Sequence, residues 1–147
     1  MLAAASLVEG NYTGISSASS ASDFVPGTNV PKSKMNGGGW GAWFIGDPYG
    51  GDSATFKYNY GNGFGFGAYA SGSWPAAAEL KPEEAWNIDT KIDDGNPSAG
   101  KIIAREGLNS FGNTTTCTTA ASATDYTGAY KLSVTTLTCS LLFAKAY

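Results

Sequence analysis

The sequence predicts an α+β domain in which an antiparallel sheet packs against one short helix. Three observations carry that expectation. Residues 54–60 alternate between aromatic and polar, with Phe56, Tyr58 and Tyr60 on one side and Thr55, Lys57 and Asn59 on the other. That period of two is the mark of a strand with one buried face. Residues 82–93 place Ala85, Ile88 and Ile92 at helical spacing. Near the end, Tyr130, Leu132 and Val134, and then Leu137, Cys139 and Leu141, return to alternation.

Composition narrows the class. A chain of 147 residues forms one domain with a modest core. Only 14% of residues are charged, against about a quarter in ordinary soluble domains. Aromatics reach 13%, which argues against disorder. Together these suit an extracellular β-rich module with long polar loops. The net charge is −3 and the basic residues are scattered singly, so no footprint for nucleic acid or anionic lipid exists. Histidine is absent, which removes Ser-His-Asp, Cys-His and His-ligated zinc chemistry together. Cys117 and Cys139 enclose 21 residues. The secreted-looking profile favours a disulfide over two free thiols. Closing that loop contributes roughly 3 kcal/mol.

The elements follow in order. Residues 1–10 read as the last two turns of a helix stopped by Gly10. Their apolar run is too short for a signal peptide or a membrane span. The expectation is that the helix begins in upstream sequence or has been removed. Residues 11–31, rich in Gly, Ser, Ala and Asn, read as a wrapping loop tacked down at Phe24-Val25-Pro26 and Val30-Pro31. Trp40–Ile45 is the first strand and residues 54–60 the second. Gly61-Asn62-Gly63 supplies a hairpin turn, and residues 64–70 form the third strand. There Phe64, Phe66 and Ala68 face one way and glycines the other, implying that a backbone or ring crosses the glycine face. Gly63, Gly65 and Gly67-Ala68 nominally fit a dinucleotide fingerprint. A turn and not a helix follows at Ser71–Pro75, so that reading is rejected.

Pro82 suits the first position of the helix, and Glu83 and Glu84 suit its positive end. Trp86 sits at the edge of the apolar stripe. Gly95 supplies a left-handed stop and Pro97 prevents continuation. Residues 101–105 return as a strand, and a Thr/Ala/Ser loop runs through Cys117 to Gly128. Residues 130–135 and 137–141 complete the sheet as two short strands, or as one strand with a bulge.

Three candidate chemistries arise. Asp89, Asp93 and Asp94 crowd the negative end of the helix dipole. A cation such as Ca²⁺ would offset the repulsion. Alternatively, Asp93 and Asp94 accept turn hydrogen bonds, with Lys91, Lys101 or Arg105 as partners. The spacing departs from a helix–loop–helix calcium loop, since Lys91 occupies the third ligand position and the sixth lacks glycine, so the turn reading is favoured. A glycosidase dyad of Glu83 or Glu84 with Asp93 needs one shared cleft, which helical periodicity opposes. Finally, Trp40, Trp43, Tyr49, Tyr58, Tyr60, Tyr69 and Trp74 suit a sugar-binding surface or, as the alternation favours, core and cross-strand pairs.

The order of landmarks resembles the headgroup of bacterial type IV pilin-like proteins, relatives of the pseudopilins of type II secretion. The resemblance rests on Leu7-Val8-Glu9-Gly10-Asn11-Tyr12-Thr13-Gly14, on Pro26–Lys34 followed by Gly38-Gly39-Trp40, on Asn59-Tyr60-Gly61 and on Leu80–Ala85. Its best single motif is Ile88-Asp89-Thr90-Lys91-Ile92-Asp93-Asp94-Gly95 followed by Pro97 and Gly100. These landmarks span roughly residues 2 to 105. The resemblance implies a pilin-like headgroup at 11–147, preceded at 1–10 by the end of an N-terminal helix. It implies a structural subunit of a surface filament or pseudopilus, with no catalytic residue, cofactor or metal. Copies of itself in a helical filament and the inner-membrane assembly machinery are the implied partners. The anchoring apolar helix of that family does not match within these residues, so it is expected from upstream sequence or a separate polypeptide. The implied location is the bacterial cell surface, after passage through the inner membrane and periplasm. The family often closes a C-terminal loop by a disulfide, a role that falls to Cys117 and Cys139. A secreted carbohydrate-binding or adhesin module is the second expectation.

Overall fold

The structure, a computed structural model, describes residues 10, 12, 23–35, 37–45 and 53–144. It contains β1 (Gly38–Ile45), β2 (Gly61–Ala68), α1 (Pro82–Ile92), β3 (Ile102–Arg105) and β4 (Ser140–Ala144). The four strands make one antiparallel sheet in the order β1-β2-β4-β3. One row across it runs Trp40, Phe66, Leu141 and Ala104. The architecture is therefore a small α+β fold. The helix end expected at residues 1–10 lies, apart from Gly10, outside the described residues, as does the part of the loop expected at 11–31 that precedes residue 23, apart from Tyr12.

Alternation along the strands sends side chains to two faces, and both are covered. On the first face Phe66, Leu141, Ile102 and Ala104 pack with Ala85 of α1, Leu80, Tyr130 and the two cysteines, with Trp40, Ile88 and Phe143 at the margin. On the second, Ile103, Leu142 and Ala144 pack with Phe56, Tyr60 and Ala120, flanked by Trp74 and Phe111. A sheet covered on both sides explains why β4 reads Ser140-Leu141-Leu142-Phe143-Ala144, a nearly continuous apolar run. The glycine face of β2 is crossed by the chain's own return. A Cβ on Gly67 would lie 2.5 Å from the Pro75 carbonyl oxygen and 2.7 Å from that of Ala77, so only glycine lets this backbone approach.

Four sequence expectations are corrected. Residues 54–60 form no strand and pair with the sheet only at Thr55 opposite Arg105. Phe56 and Tyr60 drop onto the second face while Tyr58 stays 36% exposed, so the alternation reports a draped segment and not a ladder. Gly61-Asn62-Gly63 is no hairpin turn. It opens β2, with Gly61 opposite Ile45 and Gly63 opposite Trp43. Residues 130–135 turn instead of pairing: Tyr130 bridges Thr118 alone, and the Val134 N–H donates to the Lys131 carbonyl. Cys139 bridges Leu80, and the strand proper starts at Ser140. Lastly, Ile92 is exposed, and Asp89 takes its place in the buried stripe of α1.

Cys117 and Cys139 are joined by a disulfide, and both are wholly buried against the first face. The bond closes a segment that makes turns and two isolated bridges but no ladder before Ser140. Loop closure therefore supplies order that sheet hydrogen bonds do not. The paired substitution Cys117→Ser/Cys139→Ser is expected to lower the unfolding free energy by about 3 kcal/mol, measured by urea denaturation at neutral pH.

Candidate functional site

Helix α1 positions the acidic cluster. Pro82 occupies its first turn, and the Lys81 N–H donates to Glu84 Oε2 at 2.8 Å, the backward half of a capping box. Asp89 follows Ala85 by four residues and so shares its inward face; it is fully buried. Its Oδ2 accepts from the Tyr130 hydroxyl at 2.8 Å and its Oδ1 from the Gly95 N–H at 3.1 Å. Gly95, two residues beyond the cap at Asp93, adopts φ +76°, a left-handed conformation open to glycine. Asp93 caps α1, and its Oδ2 accepts from the N–H groups of Lys101 and of Ile102, the latter at 3.1 Å. Asp94 Oδ1 accepts from the Asn96 N–H at 2.8 Å.

Ligand oxygens of Asp89, Asp93 and Asp94 lie within 4.8 Å of one another. The turn donors that one reading of these residues anticipates are thus in place. Lys101 contributes through its backbone and not its ammonium. Arg105 lies elsewhere, donating to Thr55 Oγ1 and the Ala76 carbonyl, with its guanidinium 5.0 Å from the Trp74 ring centre. Both Asp89 oxygens and one on each neighbour already accept hydrogen bonds. An oxygen-seeking cation takes about six to eight ligands, and the cluster offers only Asp93 Oδ1 and Asp94 Oδ2 without a hydrogen bond among the described residues. Burial pushes the Asp89 carboxyl up to about 6, helped by the charges of Asp94 and Asp93 and opposed by the bonds from Tyr130 and Gly95.

A second buried carboxylate was not anticipated. Glu106 leaves β3 fully buried. It accepts from the N–H of Cys117 at 2.5 Å, from the N–H of Thr118 at 3.2 Å and from the Thr118 hydroxyl. Burial raises its pKa against those three bonds. The available signal was its position between an apolar strand and Gly107, in a chain of only 12 acidic residues. Asp23 acts similarly, holding the Gly72 N–H at 3.0 Å and the Tyr69 hydroxyl at 3.1 Å.

Other candidates are dispersed. Glu83 and Glu84 are exposed in the first turn of α1, about 14 Å along the axis from Asp93, too far for a glycosidase pair. The stretch 63–68 lies inside β2. Trp40 packs on Phe66 and Phe143 with ring centres 4.9 and 5.2 Å away. Trp74 lies beneath Arg105, and Tyr60 is buried. Tyr58 and Tyr69 remain exposed. Tyr49 and the side chain of Trp43 lie outside the described residues. No helix among the described residues is long and apolar enough to cross a membrane.

Comparison with known proteins finds no matching family model, no similar curated protein and no similar solved structure.

The Asp89 carboxyl has a higher pKa folded than unfolded, where about 3.9 is usual. Below pH 4 both states hold the proton and its contribution is full. As pH rises through about 6 the native state alone retains it and then loses it, so stability falls over that interval. The expected drop is on the order of 2 kcal/mol, read from urea midpoints at pH 4 and pH 7.5, and Asp89→Asn should flatten most of it. For Glu106, alanine would strand three buried donors and cost about 3 kcal/mol or more, whereas Glu106→Gln retains an acceptor and should cost about 1 kcal/mol. Guanidinium titration of both variants checks that order.

Proposed function

We propose that this chain is the headgroup of a pilin-like structural subunit, which packs against copies of itself in an extracellular filament and performs no catalysis. The observation that carries the reading is the disulfide-closed segment. Leu132 and Leu137 are each 49% exposed on it, and the segment is pinned to the sheet through Cys117 and Cys139. A rigid support that holds large apolar side chains in water favours their burial against another molecule. Phe44 on edge strand β1 and Leu108 beyond β3 at the opposite edge are also exposed apolar side chains.

The use of the acidic groups supports the same reading. Asp23, Asp89, Asp93 and Glu106 accept hydrogen bonds from the chain's own loops. They serve to fix a shape, which is what a packing subunit requires. The low charge content limits repulsion between stacked copies.

Gold-labelled antibody fragments raised against the headgroup should decorate filaments on the native cell surface. Replacing both leucines, Leu132→Asp/Leu137→Asp, should cut filament yield at least about tenfold, the equivalent of 1.4 kcal/mol per contact, without changing the melting temperature of the isolated headgroup. Label confined to a soluble monomer would overturn the assignment.

A further inference from the structure

Between the draped segment 54–60 and the junction of β3 and β4 lies an open cleft of about 150 Å³. Tyr58, Asn59 and Tyr60 form one wall, Ala99 and Gly100 the other, and Ile103 and Ala144 the floor. We propose that this cleft is a binding subsite for one neutral sugar ring of a glycan. The proposal is independent of filament assembly and concerns the single headgroup.

The walls are held before any ligand arrives. Tyr126 joins them: its hydroxyl donates to the Lys57 carbonyl at 2.8 Å, and its own carbonyl accepts from Ser98 Oγ at 2.9 Å. One residue thereby ties the tyrosine wall to the Ala99-Gly100 wall. The ring of Tyr58 packs against Tyr126 with centres 4.8 Å apart and meets Tyr60 edge-on at 6.1 Å. Its orientation is set while 36% of the residue stays exposed. Preorganisation of this kind removes the cost of ordering a side chain on binding.

The chemistry of the lining selects the ligand class. The seven described residues that line it are all uncharged, so among them neither a phosphate nor a metal ion finds a counter-charge. The ring of the partly exposed Tyr58 offers apolar surface to the C–H face of a sugar. Asn59 Oδ1 accepts from the Gly61 N–H at 3.2 Å, which orients the amide and leaves its NH₂ as a donor, and the Tyr58 hydroxyl both donates and accepts. A wall of Ala99 and Gly100 lacks the second flat ring that would sandwich a nucleobase. The open mouth lets a longer glycan leave in either direction.

The test is an amide chemical-shift titration of the monomeric headgroup with the methyl glycosides of glucose, galactose, mannose and N-acetylglucosamine. At least one should give saturable shifts at Tyr58, Asn59, Gly100 and Ile103, with a Kd in the millimolar range, about −4 kcal/mol. Tyr58→Ala and the exposed-site variant Asn59→Ala should each weaken binding about tenfold or more. Tyr58→Phe, which keeps the ring and loses the hydroxyl, should bind with an affinity between those of the wild type and Tyr58→Ala, and thermal melts of all three would establish that the fold is intact. Failure of every glycoside to give saturable shifts would overturn the proposal. So would shifts that map elsewhere, or affinity indifferent to Asn59→Ala in a folded variant.

Discussion

The hydrogen bonds received by the buried Glu106 carboxylate set the geometry around which the rest of the molecule is arranged. Glu106 follows directly on β3 and fixes the backbone of Cys117 and Thr118. Cys117 is bonded to Cys139, which bridges Leu80 and leads into β4. One side chain therefore couples the exit of an edge strand to the start of a central one through the disulfide. Its neighbour Arg105 performs the matching task on the other face, tying Thr55 and Ala76 to the same strand end. Two adjacent residues of opposite charge thus anchor the coverings of opposite sides of the sheet, as alternation along a strand permits.

Part of this arrangement was legible in the sequence. Helix α1 carried its own start and stop signals: Pro82 opens it, and Gly95 takes a positive φ two residues beyond the cap at Asp93. The first strand and the short strand after Lys101 were found because apolar runs bounded by turn residues leave few other readings. The segment 54–60 misled because alternation records which side chains are buried, not which backbone groups pair. Phe56 and Tyr60 are buried by lying across the sheet, not within it. Gly61-Asn62-Gly63 misled because turn chemistry marks permissive backbone without requiring a reversal there. The C-terminal stretch failed for a related reason. Tyr130 is buried beside the disulfide while Leu132 stays out, so the apparent period came from one anchored residue followed by turns.

The buried carboxylates show the limit of pattern reading more sharply. Asp89 occupies the same inward helical stripe as Ala85 and Ile88, and its position could have been read from spacing alone. Its charge argued the other way, since an acid on a short helix usually faces water. Glu106 continues the parity of Ile102 and Ala104 one residue past the strand, but what buries it is a loop whose path depends on a bond to Cys139. A small domain whose loops cover both faces of its sheet has many backbone N–H groups to satisfy away from water. A carboxylate satisfies several at once, and Glu106 does so for two successive residues.

Both half-cystines lie without measurable contact with solvent. Thiol exchange requires a thiolate to approach one sulfur along the line of the bond it displaces, so access governs its rate. The sulfurs share a buried cluster with Phe66, Leu141 and Tyr130, which leaves an external reductant no open path to them. The crosslink is thus shielded kinetically. It opens to small thiols only when the first face of the sheet itself comes apart, so its lifetime in a reducing medium is tied to the unfolding rate of the domain.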